Sequence, residues 1–190
     1  ILRSRDMFRG CAARIQWMAM RPFPLLVALG LFGAGFACAA ADAGALKPWP
    51  GGATPPLALK DLRGRSHTLD DYRGRVVVLN FWASWCEPCR DEMPAMQHLK
   101  DRLAGRPFAL IAVNMGEGAG RVQRFLDMMP IDYTVLLDPD MSVSKRWQVR
   151  LLPYSFVLDR GHRIRYYAVG EVDWNDPAVA SSIDALINEP

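Results

Sequence analysis

The feature that most constrains the fold is the run Val76-Val77-Val78-Leu79-Asn80-Phe81-Trp82, which follows Gly74 and ends four positions before Cys86. A near-continuous, β-branched and apolar segment of this length suits a strand buried on both faces, as in sheets covered by helices on either side. A helical stretch follows from about Cys86 to Leu103, and a second buried strand reads at Phe108 to Asn114. Further on come a helix near Gly120 to Met129, a short strand at Thr134 to Leu137 and a helix from about Ser142 to Trp147. Two closing strands, Ser155 to Leu158 and Ile164 to Val169, flank the turn Asp159-Arg160-Gly161-His162, and Pro177 to Ile187 reads as a terminal helix. This order predicts an α/β fold, a mixed central β-sheet flanked by helices on both faces.

With 190 residues, 51% of them hydrophobic and 23% charged, the chain has room for one domain and a tail. Its formal charge of +3 is unevenly placed: residues 1–41 hold five Arg and one Asp, whereas the rest holds 18 basic against 19 acidic side chains. A near-neutral body without a Lys/Arg cluster offers phosphates no electrostatic footprint, so no nucleic-acid partner is expected.

The basic charge belongs to the N-terminus, where a leader is also read. Arg21 precedes twenty uncharged residues, Pro22 to Ala41, with a greasy centre and the small-residue endings Ala37-Cys38-Ala39 and Ala39-Ala40-Ala41. Residues 20–41 read as a secretory signal peptide. An uncleaved anchor over residues 22–41 is the second reading, since about twenty residues can span a bilayer, but two prolines and Gly30, Gly33 and Gly35 weaken it. Lipid modification at Cys38 stands behind both. The first residue is Ile, so translation from Met18 or Met20 would make residues 1–19 upstream sequence. The Pro/Gly-rich span 42–55 reads as a linker, 56–190 as the domain, and the domain as periplasmic or otherwise extracytoplasmic.

Setting aside Cys11 and Cys38, the domain keeps one pair, Cys86 and Cys89. A disulfide between residues so close staples little of the unfolded chain, which favours a reactive pair over a structural one. Placed where a buried strand meets a helix, the first sulfur lies near unpaired backbone N–H groups and the positive end of the helix dipole, which favours its thiolate. Cys86 is then the nucleophile, and Cys89, one turn on, can attack a mixed disulfide formed at Cys86. Pro88 fits the first turn, where a missing N–H costs nothing. A zinc site would need two more ligands, and His67, His98 and His162 are scattered, so they read as surface residues and no metal is expected. Phe81 and Trp82 read as core, and Trp85 as surface around the sulfur. Gly116-Glu117-Gly118-Ala119-Gly120 imitates a dinucleotide loop but has Arg121 at the last glycine position, so it reads as a loop and helix start.

The ordered series Trp85-Cys86-Glu87-Pro88-Cys89, Glu92-Met93-Pro94, Val113-Asn114-Met115-Gly116-Glu117, Leu137-Asp138 and Leu152-Pro153-Tyr154 resembles the TlpA/ResA-like thiol:disulfide oxidoreductases of the thioredoxin superfamily. The resemblance runs from about Pro56 to Ile187 and implies a thioredoxin-like fold. It implies that Pro153 is a cis-proline facing the disulfide and that Leu152 offers backbone to an extended substrate. It further implies an exported disulfide reductase without a cofactor of its own, the alternatives being a disulfide-forming oxidant or a non-catalytic thioredoxin-like binding module. A membrane thiol-disulfide electron donor would serve it, and its clients would be disulfide proteins such as apocytochrome c. The chain is expected to be a monomer.

Two departures qualify the resemblance. Tyr154 stands where a small residue, often Thr, commonly follows this proline, which alters the substrate groove. Asn80 stands where cytoplasmic thioredoxins carry a buried Asp. Asn80 cannot take a proton, so any assisting carboxylate comes from elsewhere, and Glu92, three residues after Cys89 on one helix face, is the candidate. Glu117 either borders the site, as the resemblance suggests, or is a solvated loop carboxylate. Glu87, Asp91 and Glu92 against Arg90 disfavour ionised sulfurs, which predicts a reducing pair. The substrate-facing residues are expected to be Trp85, Glu87, Pro88, Leu152 and Pro153.

Overall fold

The computed structural model describes residues 44–189. Its strands are β1 (Lys47–Pro48), β2 (Ala58–Asp61), β3 (Ser66–Thr68), β4 (Val76–Trp82), β5 (Phe108–Met115), β6 (Thr134–Asp138), β7 (Tyr154–Leu158) and β8 (Ile164–Val169). The helices are α1 (Glu87–Arg102), α2 (Ala119–Leu126), α3 (Ser142–Arg146) and α4 (Pro177–Asn188). The strands form one sheet in the order β1-β8-β7-β4-β5-β6-β2-β3. β4, β5 and β6 are parallel and the remaining pairs antiparallel, so the sheet is mixed.

Every residue of the central strand β4 is buried, and its alternation divides the core. Val76, Val78 and Trp82 face a cluster built with Cys89, Met93, Met96 and Leu99 of α1 and Val179, Ile183 and Leu186 of α4. Val77, Leu79 and Phe81 face the other cluster, with Val143 of α3 and Trp147. A strand that feeds two cores has no polar face to spare, which is why its period-two pattern is hidden under continuous hydrophobicity. On the α1 side the polar exception is Asn80.

Parallel pairing puts the C-terminal ends of β4, β5 and β6 at one edge of the sheet. The register Phe81↔Tyr154 and Tyr154↔Val169 brings the start of β7 and the end of β8 to that same edge. The loop into Cys86, the Gly116–Gly118 turn and the Leu151–Pro153 segment therefore converge there.

Three strands differ from the sequence reading. β1 lies within the span read as linker and pairs with β8, with Trp49 packed on Phe156 and Tyr167. β2 and β3 form a hairpin outside β6, with half of their residues exposed or more. Such edge strands carry too little apolar alternation to be read locally. The leader, 1–41, lies outside the described residues, together with Cys11 and Cys38. Among the described residues no helix is long and apolar enough to cross a membrane.

Candidate active site

Cys86 is the N-cap of α1, in extended backbone conformation (φ −85°, ψ 106°), and no side chain caps the helix start. Pro88 follows in the first turn, as expected, and Glu87 and Pro88 are exposed beside the cysteines. The two sulfurs are joined in a disulfide, with Cα atoms 5.3 Å apart. Cys86 retains 5% exposure and Cys89 1%, so an incoming partner meets Cys86 first. α1 runs unbroken through Pro94, which faces outward.

One turn beyond Cys89, Glu92 is 2% exposed on the face of α1 turned to the sheet. Its Oε1 accepts from Asn80 Nδ2 at 2.7 Å, and its Oε2 accepts from the Val172 N–H at 3.0 Å and from Trp174 Nε1 at 3.2 Å. Burial raises its pKa from 4.5 to about 7, with the like charge of Glu171 adding to the rise and the three hydrogen bonds opposing it. A carboxyl poised near neutrality beside a buried thiol position is suited to exchanging a proton with it. Asn80 Nδ2 also donates to Ser155 Oγ at 3.0 Å, across the β4–β7 pair. Trp174 and Ser155 were not found by sequence reasoning. Trp174 sits in a polar loop between β8 and α4, where a lone large aromatic was the available signal.

The second carboxylate, Glu117, is buried and not solvated. It accepts from the Ser84 N–H at 2.7 Å, Ser84 Oγ at 2.6 Å and Asn114 Nδ2 at 2.8 Å, and pairs with Arg121 at 2.7 Å. Burial works against its charge, but the Ser84 and Asn114 bonds and the Arg121 cation win, and its pKa is lowered. Glu117 thus ties the β5–α2 turn to the loop two residues before Cys86, and Gly118 caps α2.

The Leu152–Pro153 peptide is cis, Pro153 is buried, and Leu152 packs against the cluster that contains both cysteines. Phe81 and Trp82 are fully buried whereas Trp85 is 64% exposed, as read from the sequence. Met141, Leu151 and Val169 are also exposed large apolar side chains, and all lie at this edge of the sheet. Met141 approaches Gly116, whose positive φ of 71° leaves no room for an unstrained side chain.

Of the histidines, only His98 is a surface residue. His67 is held between Tyr72 OH (2.8 Å) and Asp61 Oδ2 (3.2 Å), and His162 turns the β7–β8 hairpin in left-handed conformation. Among the described residues no group of three or more His, Cys, Asp or Glu is placed to hold a metal ion.

Comparison with known proteins agrees with this geometry. Residues 50–167 match the AhpC/TSA family. The thiol-disulfide oxidoreductase ResA of Geobacillus thermodenitrificans is 34% identical over 126 residues, 66% of this chain and 72% of the relative. ResA of Bacillus subtilis is 34% identical over 109 residues, 57% of this chain and 61% of the relative. The crystal structure of a candidate thiol:disulfide interchange protein DsbE from Chlorobium tepidum superposes with a TM-score of 0.68 at 32% identity. It covers 76% of this chain and 100% of that one. With a CxxC disulfide at the strand-to-helix junction and a cis-proline at the same edge, the chain belongs to the AhpC/TSA family and, within the thioredoxin superfamily, to the ResA-like thiol-disulfide oxidoreductases.

Proposed function

We propose that this thiol-disulfide oxidoreductase works outside the cytoplasm as a reductant of protein disulfides. The observation that carries the direction is Glu92, a buried carboxyl one turn from Cys89 with a pKa of about 7. In the reduced protein the Cys86 thiolate attacks one sulfur of a client disulfide, forming a mixed disulfide and releasing the client's other sulfur as a thiolate. Cys89 passes its proton to Glu92 and attacks Cys86 Sγ, which expels the second client thiolate and leaves the Cys86–Cys89 disulfide. The proton on Glu92 returns to a departing thiolate or to water. Two electrons have moved to the client, and a membrane thiol protein must supply them again.

Trp85, Glu87, Pro88, Leu152 and Pro153 surround the approach, and the exposed Trp85 and Leu151 suit a client whose cysteine is flanked by apolar residues in an extended segment. Apocytochrome c, with its haem-site cysteines in an unfolded chain, is a client of that kind. Residues 20–41 supply the export signal, and the domain acts as a monomer.

The test is the reduction potential of Cys86/Cys89, measured by equilibration with glutathione. A negative charge near the sulfurs disfavours the thiolate and so favours the disulfide, which lowers the potential. The reading expects a value well below about −180 mV, the range of oxidising isomerases. A value above it would make the chain a disulfide-forming oxidant.

A further inference from the structure

Glu92 is surrounded by donors. The Val172 N–H and Trp174 Nε1–H both point at Oε2, and Asn80 Nδ2 points at Oε1. This set satisfies an ionised carboxylate. A protonated carboxyl must itself donate, and an amide N–H or an indole N–H has no lone pair to offer it. Of the three partners, only Asn80 carries both an N–H₂ and a C=O on a side chain that can turn.

The second partner of the Asn80 amide is equally ambivalent. Ser155 lies directly opposite Asn80 in the β4–β7 register, is fully buried, and accepts from the same Nδ2 at 3.0 Å. A hydroxyl can accept in one arrangement and donate in the other by rotating its hydrogen.

Resting on the reading of Glu92 as a proton carrier, we propose that the Asn80 side-chain amide turns by half a rotation whenever Glu92 gains or loses its proton, with Ser155 following it. With Glu92 ionised, Nδ2 donates to Oε1 and to Ser155 Oγ. With the proton on Oε1, Oδ1 takes the place of Nδ2 and accepts from both the Glu92 and Ser155 hydroxyls. Each orientation satisfies both contacts, so the buried carboxyl can change charge without leaving a clash of donors. An Asp at position 80 would confront Glu92 with a second carboxylate, and a Leu would serve neither state. Asn80 and Ser155 are thus positioning residues that act on the thiols through Glu92.

The other ionisable groups facing Glu92 are Glu171 in the loop after β8, Tyr133 at the start of β6, and Cys86 and Cys89 on its own helix. Tyr133 is buried with no hydrogen-bond partner among the described residues, and burial pushes its pKa up, away from neutrality. In the oxidised protein neither cysteine titrates.

The test uses the oxidised, ¹³C,¹⁵N-labelled protein. The Glu92 carboxyl and the Asn80 NH₂ are followed by NMR from about pH 5 to about pH 9, a range centred on neutrality. The expected result is a contact between the Asn80 NH₂ protons and the Ser155 methylene that is present above the Glu92 midpoint and lost below it. Glu92→Gln, a neutral side chain, should hold Asn80 in the low-pH orientation at every pH. If Glu92 titrates while the Asn80–Ser155 contact persists throughout, Asn80 is a fixed donor and the inference is overturned alone. If the Glu92 carboxyl does not titrate in this range, the proton-carrier reading fails and takes the inference with it. As a second measurement, Asn80→Ala should move the Glu92 midpoint by less than about half a unit, because both charge states lose a partner. A rise of about one unit or more marks a donor to the anion only and refutes the reorientation.

Discussion

Glu92→Gln isolates the energetic cost of the buried charge. The carboxyl has a pKa of about 7 in the folded protein against 4.5 when solvated. The folded state therefore binds the proton more tightly, and stability falls as pH rises from about 4.5 to about 7, after which it is level. At 1.36 kcal/mol per unit, the full loss is about 3 kcal/mol. Gln carries no charge at any pH, so the difference in unfolding free energy between the parent and the variant cancels every other titrating group. Urea denaturation of both oxidised proteins should give a difference that moves against the parent by about 3 kcal/mol between about pH 4.5 and about pH 8. A difference that stays level across that range would mean that Glu92 is ionised at no cost, and the proton-carrier argument would lose its basis.

The same substitution should slow reduction of a protein disulfide several-fold and move the pH profile of thiol alkylation to lower pH, because a charge opposing ionisation is removed; stopped-flow alkylation of the reduced protein reads this directly. Glu117→Ala should destabilise the protein by about 1–3 kcal/mol at neutral pH by stranding the Ser84 N–H and Asn114. Since the folded pKa of Glu117 is lowered, that stabilisation is present above the solvated value and fades as pH falls, so denaturation at acid pH should show a smaller difference. Trp174→Phe keeps the ring and removes one donor to the anion, so the Glu92 midpoint seen by carboxyl ¹³C NMR should rise by up to about one unit.

What was legible in the sequence follows the range over which each residue's role is determined. β4, β5 and the first turns of α1 are set by local hydrophobicity and the Cys-Glu-Pro-Cys junction, and they lie within one or two residues of where the sequence places them. β1, β2 and β3 were missed because their existence depends on partners far along the chain, β8 and β6, and not on their own pattern. The cysteines and Glu92 were readable because helix spacing alone places Glu92 on the Cys89 face. Trp174 and Ser155 were not, since their contacts with Glu92 and Asn80 span 82 and 75 residues. Glu117 was left open between a border of the site and a solvated loop. Its burial depends on Ser84, which lies 33 residues earlier.

Carrying the acid on α1 and not on β4 has a mechanical consequence. Glu92 and Cys89 ride the same helix three residues apart, so a rise of about 4.5 Å separates their backbone positions whatever the packing between helix and sheet. A carboxylate on the strand would have its distance to the thiol set by that packing. The sheet contributes the adjustable part instead, through Asn80 and Ser155, while the loop after β8 holds the far oxygen with two fixed donors.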